Sequence, residues 1–427
     1  MLVGSEVRRV AIVGGSRIPF ARAHGAYANV TNQDMLTAAF KGVVDKFALK
    51  GERLGDAGAG AVIKHSKDWD MVRECVMGSG LALETPGFDL QRACGTSLET
   101  AIIIGSKIAL GQIDCGLAGG VDTISDPPVV FSREYQQLLL RSFRGRTFWE
   151  KARPFLGLGP RHFKPVLPGV IEQRTGLSMG QSCEIMAKQW KIGRQEQDQL
   201  AFESHKRAAA AYESGFYDDL IIEYQGLKAD NNVRRDTSVD KLAKLKPSFD
   251  FTGAGTLTAG NSSPLTDGAA AVLLGSEQWA RARNLPVQAY LRYGKVGAVD
   301  FVHKEGLLMA PAYTVPRMLN DAGLKLQDFD FYEIHEAFAA QVLCTLKAWE
   351  SAEFCRDKLG LSRPLGSIDR ARLNVVGGSV AIGHPFAATG ARIVATLAKL
   401  LAQKGSGRGL ISICTAGGMG VTAILER

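Results

Sequence analysis

The chain has no stretch of about 18 uninterrupted apolar residues, so no segment reads as a membrane-spanning helix. Its start runs almost directly into the strand-like segment Val10–Val13, without a charged-then-apolar leader and small-residue cleavage site. The expected location is therefore the cytoplasm. CxxC spacing is missing as well. The seven cysteines, Cys75, Cys94, Cys115, Cys183, Cys344, Cys355 and Cys414, are odd in number and scattered. That argues against a disulfide framework or a zinc site, and most of them read as small buried hydrophobes. No GxGxxG follows the first strand: Gly14-Gly15-Ser16-Arg17-Ile18-Pro19 lacks the spacing, and Pro19 would fit poorly in a following helix. A nicotinamide-binding oxidoreductase is set aside on that ground. His335-Glu336 has no second histidine four residues on, which removes the zinc-protease motif.

At 427 residues the chain suggests two or three domains, and 46% apolar with 22% charged residues suits a globular protein. Forty-eight glycines, many beside small or apolar residues, suit an α/β protein whose backbone approaches ligands closely. The first 128 residues alternate strand and helix patterns: strand at Val10–Val13, helix at Asn32–Ala48, small-residue helix at Cys94–Leu110, buried strand at Gly116–Val121. Such alternation predicts a mostly parallel sheet covered on both faces. From Val129 to about Asp250 the texture is basic and Pro-rich with polar helical stretches such as Gln195–Ser214, which reads as an inserted domain. Strand patterns resume at Gly255–Leu274 and again from Val287. Ala101–Asp122 and Gly390–Gly420 echo each other faintly, as two related halves would.

Four segments carry chemistry. Cys94, in Leu-Gln-Arg-Ala-Cys-Gly-Thr-Ser, falls at the first turn of a helix, where the dipole and free amides favour the thiolate. A packed core cysteine is the plain alternative. His384 stands before Pro385 within the glycine-dense run Gly377–Gly390, which lets the imidazole project into a pocket. Cys414 ends the strand-like run Gly409–Ile413 and opens a Gly-rich turn to Gly420, as a reactive group at the carboxyl edge of a sheet would. His335 and Glu336 lie where a strand gives way to a helix. The loop Thr258–Gly268 is small and polar enough to line a ligand channel.

Together, the Cys94 segment, Thr-Ala-Gly-Asn-Ser-Ser from Thr258, His-Glu-Ala-Phe from His335, Gly-His-Pro at Gly383–Pro385 and Cys-Thr-Ala-Gly-Gly-Met-Gly from Cys414 resemble the thiolase family, in family order and over nearly the whole chain. The resemblance implies an α/β thiolase fold, two duplicated βαβαβαββ halves in α-β-α-β-α layers with an inserted loop domain. The halves would be 1–128, completed by about 251–284, and 285–427, with 129–250 as the insert. It further implies CoA-dependent cleavage of 3-ketoacyl-CoA to acetyl-CoA and a shortened acyl-CoA in fatty acid β-oxidation. Biosynthetic acetoacetyl-CoA formation is the alternative, and a ketosynthase the remoter one. By the same resemblance, Cys94 would be the nucleophile, His384 would take its proton and help the oxyanion, and Cys414 would move the α-carbon proton. The amides of Cys94 and Ala416 would form one oxyanion hole, and His335 with His384 the other, around a water. His335 departs from the Asn of many thiolases and resembles the branch containing the trifunctional protein β subunit and its bacterial counterparts. Ser263, Ala259, Gly260 and Phe338 would lie near the pantetheine arm, Arg234 near the nucleotide end, and Met179 against the acyl chain. No metal or dissociable cofactor is implied, coenzyme A being a substrate, and no nucleic-acid partner.

A homodimer or tetramer and a hydratase/dehydrogenase partner subunit are also implied by the resemblance. One further region asks for a role. Residues 129–178 carry nine Lys or Arg against three Glu, most of the chain's net +8. Leu138–Leu140, Phe143, Phe148, Trp149, Phe155 and Leu156 are interleaved with these cations. That pattern suits a lid over the site or docking on a partner or an anionic membrane.

Overall fold

The computed structural model describes residues 7–166 and 169–427; the chain start read above for a leader, Met1–Glu6, and Leu167–Pro168 of the basic segment lie outside the described residues. The strands are β1 (Val10–Arg17), β2 (Ala21–Arg22), β3 (Asp56–Ala59), β4 (Gly87–Asp89), β5 (Cys115–Asp122), β6 (Thr266–Ser276), β7 (Ala289–Ala298), β8 (Phe331–Ile334), β9 (Arg408–Thr415) and β10 (Met419–Glu426). Their order is β4-β3-β5-β6-β1-β7-β10-β9-β8, with β2 beside β6. Two halves meet at a short β1–β7 seam, where Ala11 faces Tyr290 and Ile12 faces Ala289.

The sheet is mixed, not mostly parallel as the alternation suggested. Only β4-β3-β5 and β8-β9 run parallel; β6, β1, β7 and β10 pair antiparallel. The reason is the connections. Parallel neighbours need a helical crossover, whereas β9 turns straight into β10 through Ala416–Gly418. Gly417 and Gly418 take φ of 75° and 68° there, a region open to glycine. The strand pattern expected from Gly255 begins only at Thr266, because Gly255–Leu265 is loop.

Every residue of β1, β5 and β6 is buried, as for strands covered on both faces. Period-two alternation divides the core. Val10 and Ile12 join Ile104, Ile393 and Val421 between the halves, while Ala11 and Val13 join Leu36 and Phe40 outside. The two helices of the sequence echo, Thr96–Ala109 and Thr389–Lys404, pack together at the centre and touch strands of both halves. The layering is thus α-β-α-β-α. Contact at the centre is tight: a Cβ on Gly390 would lie 2.3 Å from the Leu98 amide nitrogen.

Within the insert, the helices Arg133–Arg144 and Phe148–Ala152 bury no residue. The helices Met179–Gln189 and Arg194–Glu213, by contrast, bury one face each.

Candidate active site

Cys94 lies two residues before the helix Thr96–Ala109, with Gly95 at the N-cap, rather than in the first turn. Ala93 reaches it through φ of +44°, a left-handed conformation costly for a residue with a Cβ. Local bonds hold the turn: Thr96 Oγ1 donates to the Ala93 carbonyl (2.7 Å) and accepts from the Arg92 amide (2.9 Å). Gly95 permits close approach of the β9–β10 hairpin, since a Cβ there would sit 2.5 Å from Val421 Cγ2. Two cysteines 320 positions apart in the chain are thereby brought to one place.

Burial pushes the Cys94 thiol up to about 12, although the Ala416 amide and its own amide pull the other way. The helix-end argument for a standing thiolate is therefore overridden by desolvation. Cys414, next to last in β9, is buried, and burial followed by the nearness of Cys94 raises its thiol well above the usual range.

His384 is set by Gly383, whose φ of +112° suits glycine, and by its amide donating to Thr266 Oγ1 at 2.7 Å. Its Nδ1 lies 2.6 Å from Thr389 Oγ1. Burial, then the charge of Arg392, lowers its pKa to about 3, so the ring is neutral. His335 follows β8, its amide bonded to the Ser412 carbonyl at 2.9 Å and its Nδ1 2.9 Å from Ser379 Oγ. Burial, His384 and Arg392 depress it as well. The two rings are 4.1 Å apart, and Cys94 Sγ and a nitrogen of each ring lie within 4.8 Å of one another. Neither Nε2 has a protein hydrogen-bond partner among the described residues.

Cys94, His384, Cys414 and Ala416 line a cavity of about 810 Å³, together with Met179, Phe338 and Ser263. His335 does not line it; it stands behind His384. A second cavity of about 630 Å³ holds Ala259, Gly260 and Arg234, and the two share Phe249, Ser262, Ser263 and Leu265. Ser263 is fixed at this junction, its amide and Oγ both donating to the Ala337 carbonyl (3.0 and 2.9 Å). Part of the basic segment roofs the inner cavity: Gly169–Arg174 line it, and Glu172 Oε1 accepts from the Gly417 amide at 2.6 Å.

Some contributors carry no sequence signal. Arg22 and Lys241 join Arg234 in the outer cavity. Glu184 accepts from the Thr256 amide (2.8 Å), Thr256 Oγ1 (2.8 Å) and the Leu257 amide (2.9 Å), clamping the start of the Thr258 loop. Ser379 and Arg392 stand behind the histidines, with Arg392 Nη2 donating to Ser379 Oγ at 2.8 Å. Ser379 lies within the glycine-dense run Gly377–Gly390 and Arg392 just beyond it, but nothing in that run marks either as a partner of His335.

A layered α/β duplication that brings Cys94, Cys414 and His384 to one cavity, with His335 behind His384, suits an acyltransferase. The comparisons sharpen the class. Residues 10–278 match the thiolase N-terminal domain and 285–427 the thiolase C-terminal domain. The chain is 40% identical over 424 residues to a 3-ketoacyl-CoA thiolase of Pectobacterium carotovorum, covering 98% of this chain and 96% of that one. It is 38% identical over 431 residues to one from Yersinia pestis, covering 100% and 98%. Among solved structures, Bacillus anthracis acetyl-CoA acetyltransferase aligns with a TM-score of 0.82 at 28% identity over 99% of this chain and 100% of that one. Human mitochondrial 3-ketoacyl-CoA thiolase gives 0.80 at 27%, over 98% and 99%. The chain belongs to the thiolase family.

Proposed function

We propose that this enzyme cleaves 3-ketoacyl-CoA with coenzyme A, in the degradative direction, through a Cys94 acyl-enzyme. The observation that carries the reading is the convergence of Cys94, His384 and Cys414 on a cavity that adjoins, at Ser263, a second one lined by Arg22, Arg234 and Lys241. Three cations suit the phosphates of coenzyme A; Ser263, Ala259, Gly260 and Phe338 suit its pantetheine arm. Met179, in the wall of the inner cavity, suits the acyl chain.

The thiol passes its proton to His384 as sulfur attacks the C3 carbonyl. Donors at the site hold the oxyanion: the Cys94 and Ala416 amides for one carbonyl, His335 and His384 for the other. The C2–C3 bond then breaks. Its electron pair goes to C2, which takes the Cys414 proton, and acetyl-CoA leaves. Coenzyme A gives its thiol proton to Cys414 and attacks the Cys94 thioester. The departing Cys94 sulfur recovers its proton from His384, restoring the start.

A thiol and two imidazoles so close have the donor types of a metal site. Each Nδ1, however, meets a neutral hydroxyl, where metal-binding histidines ordinarily donate to a carboxylate, a carbonyl or water. We read the cluster as proton-transfer machinery needing no metal.

The test follows coenzyme A-dependent loss of four-carbon and sixteen-carbon 3-ketoacyl-CoA by wild type and Cys94→Ala. Long-chain cleavage lost in the variant supports the reading. Turnover of the four-carbon substrate alone would indicate the biosynthetic alternative, and full activity in Cys94→Ala would overturn the mechanism.

The chain is expected to act as a homodimer or tetramer in the cytoplasm, with a hydratase/dehydrogenase as partner. The insert would hold it against a partner or an anionic membrane, because Phe143, Phe148, Trp149 and Leu156 stand exposed among Arg and Lys. Unchanged vesicle pelleting and complex formation after removing those aromatics would sink that part.

A further inference from the structure

The two histidines of the site rest on hydroxyls with opposite obligations. Thr389 Oγ1 has an acceptor of its own, the Pro385 carbonyl one helical turn back at 3.2 Å. With its proton committed there, a lone pair remains for the Nδ1–H of His384, 2.6 Å away. The Nε2 of His384 is then bare, as a base requires. Ser379 is placed differently. Arg392 Nη2 donates to its oxygen at 2.8 Å, and a guanidinium accepts nothing in return. Among the described residues, the one acceptor bonded to the Ser379 hydroxyl is His335 Nδ1 at 2.9 Å. Ser379 is fully buried, so a hydroxyl proton without an acceptor would bear the whole desolvation penalty.

We propose that Arg392 and Ser379 form a relay that fixes His335 as its Nε2–H tautomer, a neutral hydrogen-bond donor beside a His384 held as the Nε2 base. Ser379 and Arg392 are positioning residues: neither lines the cavity. The arrangement resolves the crowding of two rings 4.1 Å apart, since one turns a proton and the other a lone pair toward their common space.

Arg392 adds a second effect. Among the described residues its Nε and Nη1 have no hydrogen-bond partner, and Glu333 Oε2 is 3.8 Å from Nη1, so its charge is loosely compensated. That field opposes a positive charge on either ring, after the larger effect of burial. His335 can therefore donate without becoming imidazolium, and remains neutral when His384 takes the proton of Cys94. The catalytic value of this donor rests on the acyl-transfer reading above; the tautomer itself does not.

Nitrogen-15 spectra of the full-length enzyme labelled in its seven histidines report the tautomer directly, with His335→Asn assigning the signals. The expected wild-type result is a protonated Nε2 and a bare Nδ1 on His335, and the reverse on His384. Ser379→Ala should convert His335 to a mixture or to Nδ1–H. It should also lower kcat for 3-ketoacyl-CoA cleavage about 10- to 100-fold with KM within about threefold, and Ser379→Thr should restore both. A wild-type His335 in the Nδ1–H form overturns the relay even if Ser379→Ala does not fold, and so does a folded Ser379→Ala with unchanged kcat. Wild-type enzyme inactive on every 3-ketoacyl-CoA, with the expected tautomers, would overturn the functional reading and leave the relay standing.

Discussion

Gly390 and Leu98 touch across the centre of the molecule: a Cβ on the glycine would stand 2.3 Å from the Leu98 amide nitrogen and 2.9 Å from Ser97 Oγ. Ser97 Oγ meanwhile accepts from the Ala391 amide at 2.8 Å. This contact joins the helix that follows the Cys94 turn to the helix that carries Thr389, the support of His384. Gly390→Ala should therefore lower stability by about 1–3 kcal/mol, because backbone must move. It should also reduce kcat by displacing His384 from Cys94. Gly157→Ala, with open space around it, should stay within about 0.5 kcal/mol. Denaturant midpoints and steady-state kinetics check both.

His384→Gln removes the proposed proton acceptor but keeps a group of similar size. The expected loss is about 10²- to 10⁴-fold in kcat, while long-chain acyl-CoA binding by calorimetry changes little. An effect on binding equal to that on turnover would assign His384 to substrate recognition.

The pH dependence follows from two opposed shifts. Burial holds the Cys94 thiol at about 12 and His384 at about 3, so thiol and imidazole are both uncharged at rest. Formation of the acyl-enzyme should thus be flat from about pH 5 to about pH 9, without the inflection near 6.5 of an ordinary histidine. For stability the signs are these. Cys94 is raised, so its contribution is complete below an unfolded pKa of about 8.5 and is lost as pH climbs toward 12. His384 is depressed, so its contribution is complete above about 6.5 and is lost as pH falls toward 3. Rapid-quench acylation and chemical unfolding across pH test the two statements.

Glu184→Gln puts an amide donor where the carboxylate now meets the Thr256 and Leu257 amides. The Thr258 loop bounds the passage between the cavities. KM for acyl-CoA should rise about fivefold to tenfold, for a loss near 1–1.4 kcal/mol, with kcat nearly kept. A fall confined to kcat would detach the clamp from ligand binding.

Much of the candidate site could be read in the sequence because the groups proposed to react stand near the ends of regular elements and beside glycines. Cys94 precedes a helix, Cys414 stands next to last in a strand, and Gly383 announces His384. The sheet was misread as mostly parallel because alternation reports that faces are covered, not which way a strand runs; β6 and β10 return by connections that composition does not reveal. Ser379, Arg392 and Glu184 were not legible for a different reason. Each acts on a partner 13 to 73 positions away, and only folding brings the pair together. Arg22 ends the two-residue strand β2 and Lys241 sits in the short helix Val239–Ala243, both indistinguishable in the sequence from solvated charge.

The junction at Ser262, Ser263, Phe249 and Leu265 has a kinetic consequence. If the acyl chain waits on Cys94 in the inner chamber, departing acetyl-CoA and arriving coenzyme A must use the same corridor in turn. One molecule's exit is then the next one's admission. Each should compete with the other for the acylated enzyme, and a cell rich in acetyl-CoA would slow this catalyst by occupying its doorway, with no separate regulatory site.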